Sequence, residues 1–149
     1  PEDFASRSCD PLHAVAIAAP LVTRPANAAQ VSEVVCIARR YGLAIVTHGG
    51  LTGLAGGAHA APGSLVVSTE RMRQIEELDE TAQIAVVGAG VPIEELHAAA
   101  EAKGLFYPID LGSKGTATVG GTIASNAGVA RVTRGLTPPR TTPHFTRVA

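Results

Sequence analysis

At 149 residues the chain has the length of one domain, and 46% hydrophobic against 17% charged residues makes it too apolar to remain a solvated, disordered polymer. Twelve basic and thirteen acidic residues give a net charge of −1, which excludes a global field that would recruit nucleic acid or an anionic membrane. No apolar run approaches the roughly 18 residues of a membrane helix. Glu2, Asp3 and Asp10 occupy the region where a signal peptide carries positive charge, and Cys9 and Cys36 have neither disulfide-framework nor zinc spacing.

In chain order, residues 1–19 read as an N-terminal extension that starts at Pro1 without an initiator Met, as a fragment or processed product would. Leu21–Thr23 is a short strand stopped by Pro25. Asn27 caps a helix with Gln30 three residues on in capping-box position, and the helix runs to Tyr41. Val31, Val34, Val35 and Ala38 recur at helical spacing and should be buried, Cys36 should behave as a small hydrophobe, and Gly42 supplies the stop. Ala44–Thr47 is a buried strand, so the unit reads strand–helix–strand with parallel strands and a right-handed crossover.

Leu65–Ser68 is a further strand, Arg71–Leu78 a helical turn or loop, and Gln83–Gly88 the next strand. Pro92 opens a helix to about residue 103 with Glu94 and Glu95 at its positive end, Leu96 and Ala100 inward, and Gly104 as the stop. Leu105–Pro108 is extended, and Thr118 caps a short helix to about Asn126. Residues 129–149 hold Arg131, Arg134, Arg140 and Arg147, three prolines and no acid, which reads as a disordered or aberrant tail. The fold class implied is α+β, or mixed α/β, rather than a pure doubly wound sheet.

Two glycine-rich loops, each near an apolar strand, are the chemical signal. The first is His48 to Ala58, with Gly49, Gly50, Gly53, Gly56 and Gly57; the second runs from Asp110 to Gly128. Glycine admits φ > 0 and close approach of a ligand, and successive amides in such turns can converge on an anion. The second loop adds hydroxyls, an amide and a capped helix N-terminus as donors. Neither loop fits a Walker sequence, because Lys114 precedes Gly115. Gly88-Ala89-Gly90 is followed by Ile93 where a Rossmann fingerprint needs glycine. Long turns without a ligand are the alternative. His48 is either a partner for phosphate or a polar strand end, Lys114 either a phosphate contact or an exposed loop lysine, and His13, His59, His97 and His144 have no metal spacing.

Several segments resemble one family in the right order: Arg24-Pro25, Gly49 to Gly57, Ser68-x-Glu70-Arg71-Met72, Gly88-Ala89-Gly90-Val91, Phe106-Tyr107-Pro108 and Gly120 to Gly128. Residues 20–128 are similar to the first part of the flavin-binding domain of the vanillyl-alcohol oxidase / p-cresol methylhydroxylase (PCMH) superfamily. The nearest likeness is to FAD-linked D-2-hydroxyacid dehydrogenases, which act on D-lactate, glycolate or D-2-hydroxyglutarate; Pro108-Ile109-Asp110-Leu111-Gly112 leans toward the last. The resemblance implies an incomplete PCMH-type domain that binds FAD non-covalently, since Thr52 stands where some members carry a flavin-linked His.

Gly49, Gly50, Leu51, Thr52, Gly53, Gly56 and Gly57 would then wrap the pyrophosphate, and Gly112, Ser113, Gly120, Gly121, Ser125, Asn126 and Gly128 would contact isoalloxazine, ribityl or phosphate groups from the other side. Thr122 departs from the family's usual Asn, and Val129 from a second Gly. The implied parent oxidises a small 2-hydroxy acid by hydride transfer to FAD, in the cytoplasm, with an electron acceptor left open and no metal. No catalytic residue is assigned to this chain, whose own activity is left open. A truncated non-catalytic fragment or scaffold, and an FAD-linked alcohol or sugar oxidase, are the alternatives.

Overall fold

In the computed structural model, described for residues 19, 21–127 and 147–148, two compact units meet in sequence at Met72 and Arg73. Most of the expected N-terminal extension (residues 1–18), Gly128 and most of the expected tail lie outside the described residues.

The first unit contains β1 (Leu21–Thr23), α1 (Ala28–Arg40), β2 (Ile45–His48) and β3 (Leu65–Ser68). The Asn27 side chain accepts from the Gln30 amide at 3.0 Å, as its position predicts, while Gln30 Oε1 accepts from Ala26 N at 2.8 Å, one residue earlier than in a regular capping box. Gly42 lies at φ +64°, and Leu43 N donates back to Ala38 O at 2.9 Å, so the glycine ends the helix through the left-handed conformation that L side chains avoid.

β1 and β2 run parallel, as expected, but they are not neighbours. The sheet order is β1-β3-β2, with both outer strands paired in parallel to β3, which is buried along its length. Periodicity reports which strands are apolar, not which one lies between the others. The core is a small cluster of Ala19, Ala60 and Val66, with Val22 and Val46 packed on it. α1 is covered incompletely. Ala38 is buried and Val31 and Val34 half-buried, but Val35 is 44% exposed, correcting the expectation that this whole face is covered; Cys36 too is exposed rather than packed as a hydrophobe.

The second unit holds β4 (Ile75–Asp79), β5 (Ile84–Val87), α2 (Ile93–Glu101), α3 (Val119–Ala124) and β6 (Arg147–Val148). β4 pairs antiparallel with β5 where a helical turn or loop was expected. Its acidic sequence is poor in strand formers, and the register shifts between Ile75 and Glu77. The extra residue lets Ile75 and Leu78, three apart, both pack on the core, which conceals the period of two. Asp79 closes the hairpin by accepting from Thr81 N and Ala82 N, each at 2.8 Å.

α2 buries Ile93 and Leu96 against Ala85, Val87, Val91, Tyr107, Ala117 and Val119, with Ala100 also buried, and Gly104 at φ +67° ends it. Within the residues read as a tail, Arg147–Val148 pairs in parallel with β5.

Candidate functional site

In the first unit the parallel strands end together: Thr23 pairs with Val67, and His48 with Ser68. Parallel β-pairing requires a long crossover, and residues 49–64, which contain the glycine-rich loop, are that crossover from β2 to β3. The loop therefore leaves the carboxyl edge of a parallel sheet, where α/β folds bind ligands. Arg24 and Glu70 form an ion pair of 3.3 Å, Glu70 Oε2 accepts from the Ser68 hydroxyl at 3.1 Å, and Arg71 donates to Arg24 O at 3.1 Å, all just past the ends of β1 and β3.

The loop itself is open. Among the described residues, no backbone N–H of residues 50–57 donates to a backbone carbonyl. Leu51 (φ +55°) and Gly56 (φ +72°) are left-handed, so the chain here changes direction repeatedly. A Cβ on Gly53, Gly56 or Gly57 would meet nothing within 4 Å. Residues 48–60 contain no carboxylate. Gly49, Gly50, Leu51 and Thr52 are half-buried, while Gly53, Gly56 and Gly57 face solvent. Unoccupied amides, room for a ligand and no negative charge fit a diphosphate.

The second loop is built differently, because its own unit occupies its donors and acceptors. Ile93 N and Glu94 N, at the start of α2, donate to Ala117 O at 2.9 Å and Lys114 O at 3.1 Å. Thr118 bridges to Pro92. The start of α3 was expected to offer amides to phosphate. Instead Val119 N donates to Val91 O and Gly120 N to Ala89 O, each at 2.9 Å, while Gly121 N donates to the Thr118 hydroxyl at 3.3 Å. The Gly121 bond is the expected Thr118 cap, whereas the other two go to the Gly88–Val91 turn, distant in sequence, so capping rules do not reveal them.

Gly120 allows this fit: a Cβ there would stand 2.8 Å from both Cβ and O of Ala89. Ser125 likewise donates its hydroxyl to Gly121 O at 2.7 Å. Gly112, Ser113 and Asn126 remain exposed, and the Asn126 carboxamide makes no protein hydrogen bond among the described residues. Lys114 pairs with Asp110 at 3.3 Å.

Tyr107 is buried beside His97, with ring centroids 5.5 Å apart. Burial pushes its phenol above the ordinary range, partly opposed by a hydrogen bond with Thr122. The described residues contain no group of three or more His, Cys, Asp or Glu able to hold a metal, and none of their helices is long and apolar enough to cross a membrane.

The FAD binding domain family matches residues 19–137, running past Gly128. The chain belongs to that family. Among curated relatives it is 42% identical over 113 residues to a D-2-hydroxyglutarate dehydrogenase of Xanthomonas citri pv. viticola, covering 76% of this chain and 24% of the relative. It is 40% identical over 111 residues to a D-lactate dehydrogenase of Archaeoglobus fulgidus, covering 74% and 25%. A solved structure of alkyldihydroxyacetonephosphate synthase shares the fold at a TM-score of 0.67 and 21% identity, over 72% of this chain and 22% of that one. The chain spans about a quarter of the length of the curated relatives it matches. The fold is thus that of an FAD-binding domain, mixed α/β with a parallel sheet, and FAD is the family's cofactor.

Proposed function

We propose that this chain supplies the FAD-holding part of a flavin-dependent dehydrogenase of small 2-hydroxy acids and binds FAD non-covalently. The observation that carries the cofactor assignment is the crossover loop, whose open amides leave the carboxyl edge of the parallel sheet with no carboxylate nearby. Gly49 to Gly53, Gly56 and Gly57 bind the pyrophosphate through backbone N–H groups. Thr52 lacks the imidazole that would tether a flavin covalently.

In the second unit Gly112, Ser113 and Asn126 hold polar groups of the cofactor, and Gly128 belongs to the same set. Gly120, Gly121 and Ser125 act by shaping and fixing α3, since their donors are occupied within the protein. When bound, FAD would supply the acceptor for the hydride that leaves the substrate carbon, the hydroxyl proton passing to solvent as the hydroxyl becomes a carbonyl. The substrate class follows the relatives, whose named substrates, D-2-hydroxyglutarate and D-lactate, are both 2-hydroxy acids. The cytoplasm is the compartment we assign.

The test uses the full-length protein that carries this chain. It should purify yellow, release its flavin on acid precipitation, and reduce an artificial acceptor with D-lactate, glycolate or D-2-hydroxyglutarate. A flavin-loaded protein that turns over none of them refutes the substrate class. Gly53→Asp, at a position with open space, places a carboxylate in the loop; at an effective dielectric near 20 the repulsion is on the order of 2 kcal/mol, a loss of about 30-fold in FAD affinity. Gly53→Asn, of the same shape, should retain binding. Equal affinities for the two variants would refute the pyrophosphate assignment.

A further inference from the structure

The imidazole of His48, at the last position of β2, is fully buried. Its Nε2 lies 2.8 Å from the carbonyl oxygen of Ala58, across the whole glycine-rich loop. A carbonyl can only accept, so Nε2 carries the proton and donates it. The backbone of the same residue is held from the other direction: His48 O accepts from Thr69 N at 2.9 Å and from the Thr69 hydroxyl at 3.3 Å. The loop thus starts at a residue fixed to the end of β3 and finishes on a carbonyl held by that residue's own side chain. Between these points, among the described residues, no backbone N–H of residues 50–57 donates to a backbone carbonyl that would order it.

We infer that His48 is the positioning residue of the cofactor loop, closing residues 49–57 at their base so that the amides are arranged before a diphosphate arrives. The inference rests on the reading of this loop as the pyrophosphate site and adds a residue to it that touches no ligand. A glycine-rich loop whose residue 50–57 amides have no backbone acceptor among the described residues loses much conformational entropy when it wraps an anion. A cross-loop bond at its neck removes part of that freedom in the unliganded protein, which raises affinity by preorganisation. The donor, rather than the ring or its charge, performs this role. A glutamine side chain, whose carboxamide N–H can reach a similar distance, should serve; a leucine, which fills the volume without donating, should not.

His48→Gln and His48→Leu in the full-length protein separate these cases. FAD affinity, followed by flavin fluorescence, should fall at least about tenfold in His48→Leu and stay within about threefold of wild type in His48→Gln. In flavin-free protein, thermolysin should cut at Leu51 or Leu54 at least about fivefold faster in His48→Leu only, because an untethered loop reaches the protease more often. The inference is overturned if His48→Leu matches wild type in both measurements, or if His48→Gln loses as much as His48→Leu, which would make the imidazole's packing the cause. Wild-type protein that fails to bind FAD would remove the pyrophosphate reading, while the proteolysis of flavin-free protein still decides whether the loop is clamped. Should His48→Leu not fold, the nitrogen-15 spectrum of wild-type His48 decides: a protonated Nε2 supports the clamp and a bare Nε2 overturns it.

Discussion

Gly120→Ala is the sharpest probe of how α3 is seated. The added Cβ would lie 2.8 Å from Ala89 Cβ and 2.8 Å from Ala89 O, whereas carbon atoms in contact prefer about 3.5–4.0 Å. The neighbours have little freedom to yield, because Ala89 O already accepts from Gly120 N and Val91 O from Val119 N, each at 2.9 Å. Relief therefore means moving the first turn of α3 away from the Gly88–Val91 turn and stretching both bonds. Overpacking costs about 1–3 kcal/mol, and two contacts at 2.8 Å, one of them to backbone, put this site at about 2–3 kcal/mol. The better helix propensity of alanine returns about 1 kcal/mol, which leaves a net loss of about 1–2 kcal/mol. In a chain of this size that is a fall in Tm of several degrees, with a parallel shift in the urea midpoint. Gly112→Ala, whose Cβ would meet nothing within 4 Å, is the control and should melt within about 0.5 kcal/mol of wild type. If Gly120→Ala is as stable as Gly112→Ala, close approach to Ala89 is not what the glycine provides.

Asn27→Ala removes the acceptor for Gln30 N at the start of α1 and should cost about 1 kcal/mol in thermal or urea unfolding; no change would mean that the cap contributes nothing. Burial raises the phenol pKa of Tyr107 above its ordinary value of 10.0, so below about pH 10 both folded and unfolded forms keep the proton, and above it the unfolded chain loses its proton first. The stability that Tyr107 contributes is thus complete below pH 10 and declines as pH rises toward the folded pKa, and Tyr107→Phe should flatten that alkaline decline in urea midpoints measured against pH. An identical decline in the variant would place its origin elsewhere.

The parts of the fold legible in the sequence are those whose causes are local. Asn27, Gly42 and Gly104 act within a turn of the helix ends they set, and residues 65–67 announce a strand by their apolar run, whereas residues 44–47, expected to be a buried strand, leave Ile45 and Thr47 exposed in β2. Features set by distant partners were not legible. The bulge in β4 breaks the alternation that identifies strands, and only its pairing with β5 makes Ile75–Asp79 extended. Val35 follows a helical period yet stays exposed, because helical spacing tells which residues share a face and not how far that face is covered.

The candidate site divides in the same way. The open first loop follows from its glycines and its lack of acids, whereas the occupied amides of α3 depend on Ala89 and Val91. The His48–Ala58 bond is also beyond periodicity, although a polar residue at the neck of a glycine loop is a signal that could have raised it.

The order β1-β3-β2 also has a consequence for synthesis. β1, α1 and β2 emerge first, but neither outer strand has an edge to pair with until the central strand arrives after the glycine crossover. A nascent chain ending anywhere before Leu65 holds two short strands and a helix whose apolar face has no sheet beneath it. Parallel pairing through long connections is slow to nucleate, and domains are completed as units during translation. The glycine crossover therefore also governs the first unit's folding, because its length and looseness determine how soon Leu65–Ser68 can slot between the waiting strands.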